Sequence, residues 1–259
     1  MMPAAFVTDM GPFPAFEDDD YARALAQLGE TLPRPKAVVV MSGHWPARGT
    51  LSATSSAKPG IVHDYSGFPE EFYRFDYPCP GDPALAQNIV SRLAQAGFAA
   101  VASSERPLDH GAWAPLSRVY PKADVPVVQV TVPTGQDPRQ IMAMGLALAP
   151  LRDEGVLLLG SGALVHNLRL FRFGETDAPP DAWAEEFDAW LIKRLDAGKT
   201  GELCDYRTLA PSAAKAAPTS EHFDPLFFVL GAAPGAKPVY LHRSLRYGSG
   251  LRRIFTFGP

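Results

Sequence analysis

Two stretches of the chain carry unbroken apolar runs that stop abruptly at small residues. Val38-Val39-Val40-Met41 breaks at Ser42-Gly43 and continues as His44-Trp45. Val156-Leu157-Leu158-Leu159 breaks at Gly160-Ser161-Gly162 and leads on to His166-Asn167. A short run that is apolar at every position and closed by turn residues predicts a strand buried on both faces of a parallel sheet. Pro126 to Val132 repeats the pattern, and Phe6-Val7-Thr8-Asp9 and Phe98 to Ser103 are weaker versions of it. Towards the end, Val239 to Leu241 and Leu251 to Phe257 flank Gly248-Ser249-Gly250, which predicts a β-hairpin.

Helical signals fall between these runs. Asp82-Pro83 and Asp137-Pro138 each set an N-cap carboxylate before a proline, whose missing N–H is no loss at the first helical position. After Pro83, Leu85, Ile89, Leu93 and Ala96 form one apolar stripe and Gly97 closes it; the second helix is expected to reach Leu151. Asp20 is the expected cap of a helix over Tyr21 to Leu28, with Gly29 as its stop. Further helices are expected over Asp181 to Leu195, with Trp183, Phe187, Trp190 and Leu191 on one side, and over Pro225 to Leu230. A polar, alanine-rich linker separates those two. Residues 46–82 show no helical period and read as a functional loop region or short extra strands. Arg106 to Trp113 is too rich in breakers for a regular element. Alternating strands and helices predict an α/β fold, a single domain over 1–259 with a mostly parallel or mixed central sheet flanked by helices. Its site would lie at the carboxyl ends of the strands.

Composition narrows the classes of function. With 259 residues, 46% of them hydrophobic, the chain can bury a full core. A net charge of −4 leaves no basic footprint, so nucleic acid is not an expected partner. No stretch approaches the roughly 20 apolar residues of a membrane span, and the N-terminus lacks the marks of a signal peptide. Cys79 and Cys204 lie far apart without a CxxC pair, which suits a reducing cytoplasm. A soluble, cytoplasmic protein is expected, and a homo-oligomer is compatible with all of this.

Six histidines are present. His44 and His166 follow the two buried runs, His110 lies in a Gly/Trp-rich segment, and His222 follows Glu221 at a helix start. His63 and His242 have only polar or turn neighbours and read as ordinary polar residues. There is no HExxH, GxSxG, P-loop or GxGxxG after a strand, so zincins, serine hydrolases and nucleotide enzymes lack their usual marks. A dispersed set of histidines and carboxylates at element ends remains, which makes a mononuclear metal site credible. Two histidines and a carboxylate on one face are the donors Fe(II) favours. Spacing alone does not choose the ligands.

Five strings carry a family resemblance: Ser42-Gly43-His44-Trp45, Gly67-Phe68-Pro69-Glu70-Glu71-Phe72-Tyr73, Leu108-Asp109-His110-Gly111-Ala112-Trp113, Ser161-Gly162-Ala163-Leu164-Val165-His166-Asn167-Leu168 and Pro218-Thr219-Ser220-Glu221-His222-Phe223. In this order they resemble the class III extradiol ring-cleavage dioxygenases. The branch is the one like DOPA 4,5-dioxygenase, related to the catalytic subunit of protocatechuate 4,5-dioxygenase. The match runs over nearly the whole chain. It implies that His44 and His222 are metal ligands and that His166 is the acid/base, with His166 and Glu221 as alternative ligands. A further ligand normally comes from a histidine in a Ser-His-Gly-Ser-Pro turn near the N-terminus. Here the matching stretch is Thr8-Asp9-Met10-Gly11-Pro12, so Asp9 stands where that histidine is expected. Ala217 likewise stands where the family usually has a histidine. Asp9 is therefore the expected carboxylate of a triad with His44 and His222.

The reaction implied is insertion of O2 beside the two hydroxyls of a catechol-type substrate, opening the ring to a muconic semialdehyde. Fe(II) is the expected metal and Zn(II) the alternative. A histidine suits the proton transfers because its ordinary pKa lies near neutrality. His166 takes that role, and His110 is expected to hydrogen-bond the bound oxygen or a substrate hydroxyl. Trp45, Phe68, Tyr73 and Trp113 are candidates for walling the ring, and Arg106 or Arg169 for holding a substrate carboxylate. Two readings from other classes stand beside this one. The first is a metal-binding protein without oxygenase activity, supported mainly by Asp9. The second is a zinc-dependent hydrolase, since zinc accepts the same ligands and activates water.

Overall fold

Every position of Val38 to Met41 and of Leu157 and Leu158 is completely buried, because both runs lie inside one sheet covered on both faces. The computed structural model describes residues 1–258. Its strands are β1 (Ala4–Thr8), β2 (Ala37–Ala47), β3 (Leu51–Thr54), β4 (Ala100–Ser103), β5 (Val127–Pro133), β6 (Val156–Gly162), β7 (Pro238–Arg246) and β8 (Gly250–Phe257). They form a single eight-stranded sheet in the order β4-β3-β5-β2-β6-β1-β8-β7. The centre is parallel: β2 runs between β5 and β6, and β6 pairs parallel with β1. The sheet turns antiparallel from β1 to β8 and in the β7–β8 hairpin.

The pleat divides the buried residues between two cores. Phe6, Val39, Met41, Val130 and Leu158 face the helices Pro83–Gln95, Pro138–Leu148, Ala182–Asp196 and Pro225–Ala232. Val7, Val38, Val40, Leu157 and Leu159 face the helices Asp20–Thr31 and His110–Val119. Successive residues of a strand point to opposite faces, so a run that is apolar at every position supplies both cores.

The two Asp-Pro caps form as expected: Asp82 Oδ1 accepts from the Leu85 amide at 2.9 Å and Asp137 Oδ1 from Arg139 at 2.8 Å. Three local expectations are overturned. The first long helix is capped by Asp19, whose Oδ1 accepts from the Ala22 amide at 2.8 Å, so Asp20 is already helical. That helix runs through Gly29 to Thr31, because Gly29 is where the Val119 backbone comes so close that a Cβ would overlap its carbonyl. The breaker-rich segment near residue 110 is regular after all: Asp109 caps a helix over His110–Val119. Its Pro115 cannot donate to the Gly111 carbonyl, and Ser161 Oγ on β6 donates there instead at 2.5 Å. The alanine-rich linker contains three short helices, Thr200–Cys204, Tyr206–Leu209 and Ala213–Ala216. Residues 46–82 hold β3 and a single 3-10 turn over Glu70–Tyr73. Cys79 and Cys204 are buried free thiols. No helix among the described residues is long and apolar enough to cross a membrane.

Candidate metal centre

The carboxyl ends of β1, β2 and β6 lie side by side, and donor side chains gather there. Asp9 follows β1, and its amide continues the parallel ladder by donating to the Gly162 carbonyl at 2.7 Å. Asp9 Oδ1 accepts from the Gly11 amide at 3.0 Å, which fixes the carboxylate in the turn. His44 lies within β2, where the register against β5 shifts between Met41 and Pro46. Such an irregularity re-aims a strand side chain. His222 comes from the turn before the helix Pro225–Ala232, and its carbonyl accepts from the Ala163 amide at 2.7 Å.

Glycines let these elements approach. At Gly162 a Cβ would overlap the His222 carbonyl, and at Gly43 it would lie 3.0 Å from the His222 ring. At Gly111 it would overlap Ser42 Oγ and lie 3.0 Å from both Asp9 Oδ2 and His44 Cδ2. The result is a tight convergence of donor atoms. His44 Nε2 is 2.6 Å from Asp9 Oδ2 and 3.2 Å from His222 Nε2.

The remaining candidates ring this point. The His110 ring lies 3.9 Å from that of His44, centre to centre, with Nε2 3.7 Å from Asp9 Oδ1. Its Nδ1 donates to Asp64 Oδ1 at 2.7 Å, and its amide donates to the same oxygen at 3.0 Å. His166 stacks on His222 with centroids 3.6 Å apart. Glu221 Oε1 sits 3.4 Å from His222 Nδ1 and accepts from the Thr219 hydroxyl at 2.7 Å. Two groups could hold an ion: Asp9 with His44 and His110, and His166 with Glu221 and His222.

Burial alone would raise the Asp9 carboxyl pKa, but the imidazoles of His44, His110 and His222 outweigh it and hold the group well below the usual range. Burial works against a charged His44 too, yet Asp9 pulls its pKa up to about 9. His166 goes the other way. Its burial, reinforced by His222 and His44, lowers it to about 4, so it is neutral at ordinary pH. The hydrogen bond from His222 leads the lowering of Glu221 to about 2. An anionic oxygen and two imidazole nitrogens crowded about one point suit a divalent cation. Ligand bonds of about 2.0–2.2 Å at near right angles set donor atoms about 3 Å apart, close to the spacing here.

A cavity of about 210 Å³ opens beside the cluster. Asp9, His44, His110 and His166 line one end, and Phe68 is among the lining residues. Trp45, Tyr73 and Trp113 stand outside that lining. Trp45 packs beneath Arg106, whose guanidinium is 5.4 Å from the ring centre. Tyr73 is a partly exposed surface residue packed on Tyr65, 5.4 Å away. Trp113 is fully buried, stacks on Phe75 and donates from Nε1 to the Val62 carbonyl at 3.0 Å. The lining aromatics that sequence reasoning missed are Phe13, Tyr65, Phe171, Phe173 and Tyr247. Asp64 was also missed; the only signal for it was a carboxylate next to His63 and Tyr65 in an irregular segment. His63 and His242 make ordinary polar contacts, with the Phe75 carbonyl at 3.0 Å and Ser244 Oγ at 2.7 Å.

A family model described as the catalytic LigB subunit of aromatic ring-opening dioxygenase matches residues 15–256; Asp9 lies ahead of that stretch. An Escherichia coli (strain K12) protein named 4,5-DOPA dioxygenase extradiol is 39% identical over 241 residues, spanning 92% of this chain and 88% of its own. A Beta vulgaris protein of the same name is 39% identical over 232 residues, spanning 83% of this chain and 82% of its own. The crystal structure of an uncharacterized protein from Escherichia coli K12 superposes with a TM-score of 0.84 at 33% identity, covering 100% of both chains.

Proposed function

Because this chain belongs to the LigB family of aromatic ring-opening dioxygenases, we propose that it opens a catechol-type ring beside its two hydroxyls, using a metal held by Asp9, His44 and His222. Family membership carries the reaction class, an oxidoreductase that joins O2 to an aromatic substrate in the extradiol manner. The catechol, the product and the metal are our own reading. One carbon–carbon bond of the ring breaks next to a hydroxyl-bearing carbon. Both atoms of O2 stay in the product, one in an aldehyde and one in a carboxylate, giving a muconic semialdehyde.

The observation that carries the proposal is that His44 Nε2 has Asp9 Oδ2 at 2.6 Å and His222 Nε2 at 3.2 Å, which joins the two groups of donors through one imidazole. Fe(II) suits two histidines and a carboxylate, and when bound it would supply a Lewis acid and the one-electron chemistry that O2 requires. The chain's own residues supply the rest. Asp9 adds a negative charge that a third histidine would not, offsetting part of the cation's charge. Asp64 accepts a hydrogen bond from His110 Nδ1–H, which fixes the tautomer and leaves Nε2 free on the side of Asp9, 3.7 Å from its Oδ1. His166 lines the cavity and is neutral near pH 7, so its nitrogen is free to take a proton from a catechol hydroxyl; its lowered pKa makes it a weaker base in that step and a ready acid when the proton returns as the ring opens. Glu221 orients His222 from the far nitrogen.

The test is anaerobic purification, addition of Fe(II) and exposure of a catechol panel to O2. The expected result is a yellow ring-opened product with one O2 consumed per catechol. No O2 uptake with any catechol, alongside one tightly bound zinc per chain, would favour a hydrolase or an inactive metal-binding protein.

A further inference from the structure

We propose that the substrate is a catechol bearing an uncharged alkyl or aryl substituent, rather than one bearing a carboxylate or an amino-acid group. This rests on the ring-opening reading above and concerns the cavity wall facing away from the metal cluster.

The cavity has two chemically distinct ends. Its ionisable side chains are Asp9, His44, His110 and His166, all gathered where the hydroxyls would bind, and the two lining tyrosines. The rest of the lining is mostly apolar and includes Phe13, Phe68, Leu168, Phe171, Phe173 and Tyr247. Tyr65 also lines the cavity, but its hydroxyl is already donated to the Phe72 carbonyl at 2.7 Å. No lysine or arginine belongs to the lining.

The nearby cations stand outside the lining, and two of them, Arg172 and Arg246, are committed elsewhere. Arg172 donates to Asp181 Oδ1 at 2.7 Å and to the Pro179 carbonyl at 2.5 Å. Arg246 lies over Phe13 and Tyr247, and its charge is taken by Glu17. Arg106 covers Trp45 and reaches Asp109 at 3.5 Å and the His44 carbonyl at 3.4 Å, with its Nε unpartnered, but it is outside the lining. Arg169 is exposed and outside the lining. A carboxylate lodged against this wall would lose water without gaining a cationic partner, with the Tyr247 hydroxyl as the one donor left to meet it.

The mouth points the same way. Leu168 and Phe173 both line the cavity, yet they are 52% and 59% exposed. Their exposed apolar area gives a substituent contact and no hydrogen bond, which favours an alkyl or aryl group over a charged one. Size permits it as well: an apolar cavity of about 150 Å³ accepts benzene, so about 210 Å³ leaves room for a ring and a short substituent.

The test compares three catechols on the Fe(II)-loaded protein: unsubstituted catechol, one with an unbranched butyl group, and one with a propanoate of the same length at the same ring position. Binding of each is also measured by calorimetry without O2. The butyl compound should exceed the propanoate by about tenfold or more in kcat/KM and in affinity, since burying two methylene groups alone gives about that factor. Turnover of unsubstituted catechol with the propanoate equal or preferred would overturn the inference and leave the ring-opening reading intact. No turnover of any of the three would overturn both. Arg169→Ala separates the rival: the ratio should stay unchanged, and a selective loss for the propanoate would show that this arginine binds the substituent.

Discussion

The two ends of the cavity are built by opposite means. At the metal end, Asp9, His44 and His222 come from the ends of buried strands and from a turn locked to one of them, and each is held by backbone hydrogen bonds or close glycine contacts. At the aromatic end, Phe13, Phe68 and Phe173 come from short helical turns and loops, and Phe173 is mostly in water. Rigid elements hold reacting groups to fractions of an ångström, whereas loop residues tolerate exchange and set what fits. On the proposed reading, the chemistry resides in the sheet and the choice of substrate in the loops.

Substitutions at the two ends should separate accordingly. Asp9→Ala should do the most. Loss of an outer-shell partner typically costs 10- to 100-fold in metal affinity or activity, and removing a direct ligand should cost more than about a hundredfold. Iron content after dialysis, with circular dichroism as the folding control, reads this out; retained iron would move the ligand role to His166 or Glu221. Asp64→Asn comes next. It should lower kcat by about 10- to 100-fold with a smaller loss of iron, because it frees His110 to turn while its contact with the cluster is the longer one, Asp64 Oδ2 to His44 Nδ1 at 3.8 Å. An equal loss of iron would mean that Asp64 supports the metal instead.

Gly111→Ala probes the packing that brings the donors together. Its Cβ would press on Ser42, Asp9 and His44, at a cost of about 1–3 kcal/mol typical of overpacking. For a chain of this size that is a fall in Tm of about 2–4 °C per kcal/mol, measured by calorimetry. Phe173→Ala should have the smallest effect: a rise in KM of less than about tenfold, unchanged kcat and stability within about 0.5 kcal/mol, since the side chain is 59% exposed. A large loss of kcat there would dissolve the contrast between the two ends.

The same contrast explains what could be read from the sequence. β2 and β6 were legible because burial on both faces forces an unbroken apolar run, and their ends drew attention to His44 and His166. The helix at His110 was not legible, because Pro115 reads as a breaker and the hydroxyl that meets the orphaned carbonyl belongs to Ser161, distant in sequence. Gly29 misled for a similar reason, since its partner is the Val119 backbone. At the aromatic end, choosing among 27 aromatic residues required knowing which loops share a cavity, and of the four candidates for the wall Phe68 is in the lining while Trp45, Tyr73 and Trp113 stand outside it. Asp64 resembled any turn aspartate until His110 was seen beside it.

The most direct measurement is an anaerobic crystal structure of the Fe(II)-loaded protein, with the ion located by its anomalous scattering. The account predicts iron about 2.0–2.2 Å from an Asp9 oxygen, His44 Nε2 and His222 Nε2, by analogy with zinc–ligand distances. Iron seated among His166, Glu221 and His222, with the Asp9 carboxylate hydrogen-bonded to His44 alone, would contradict it.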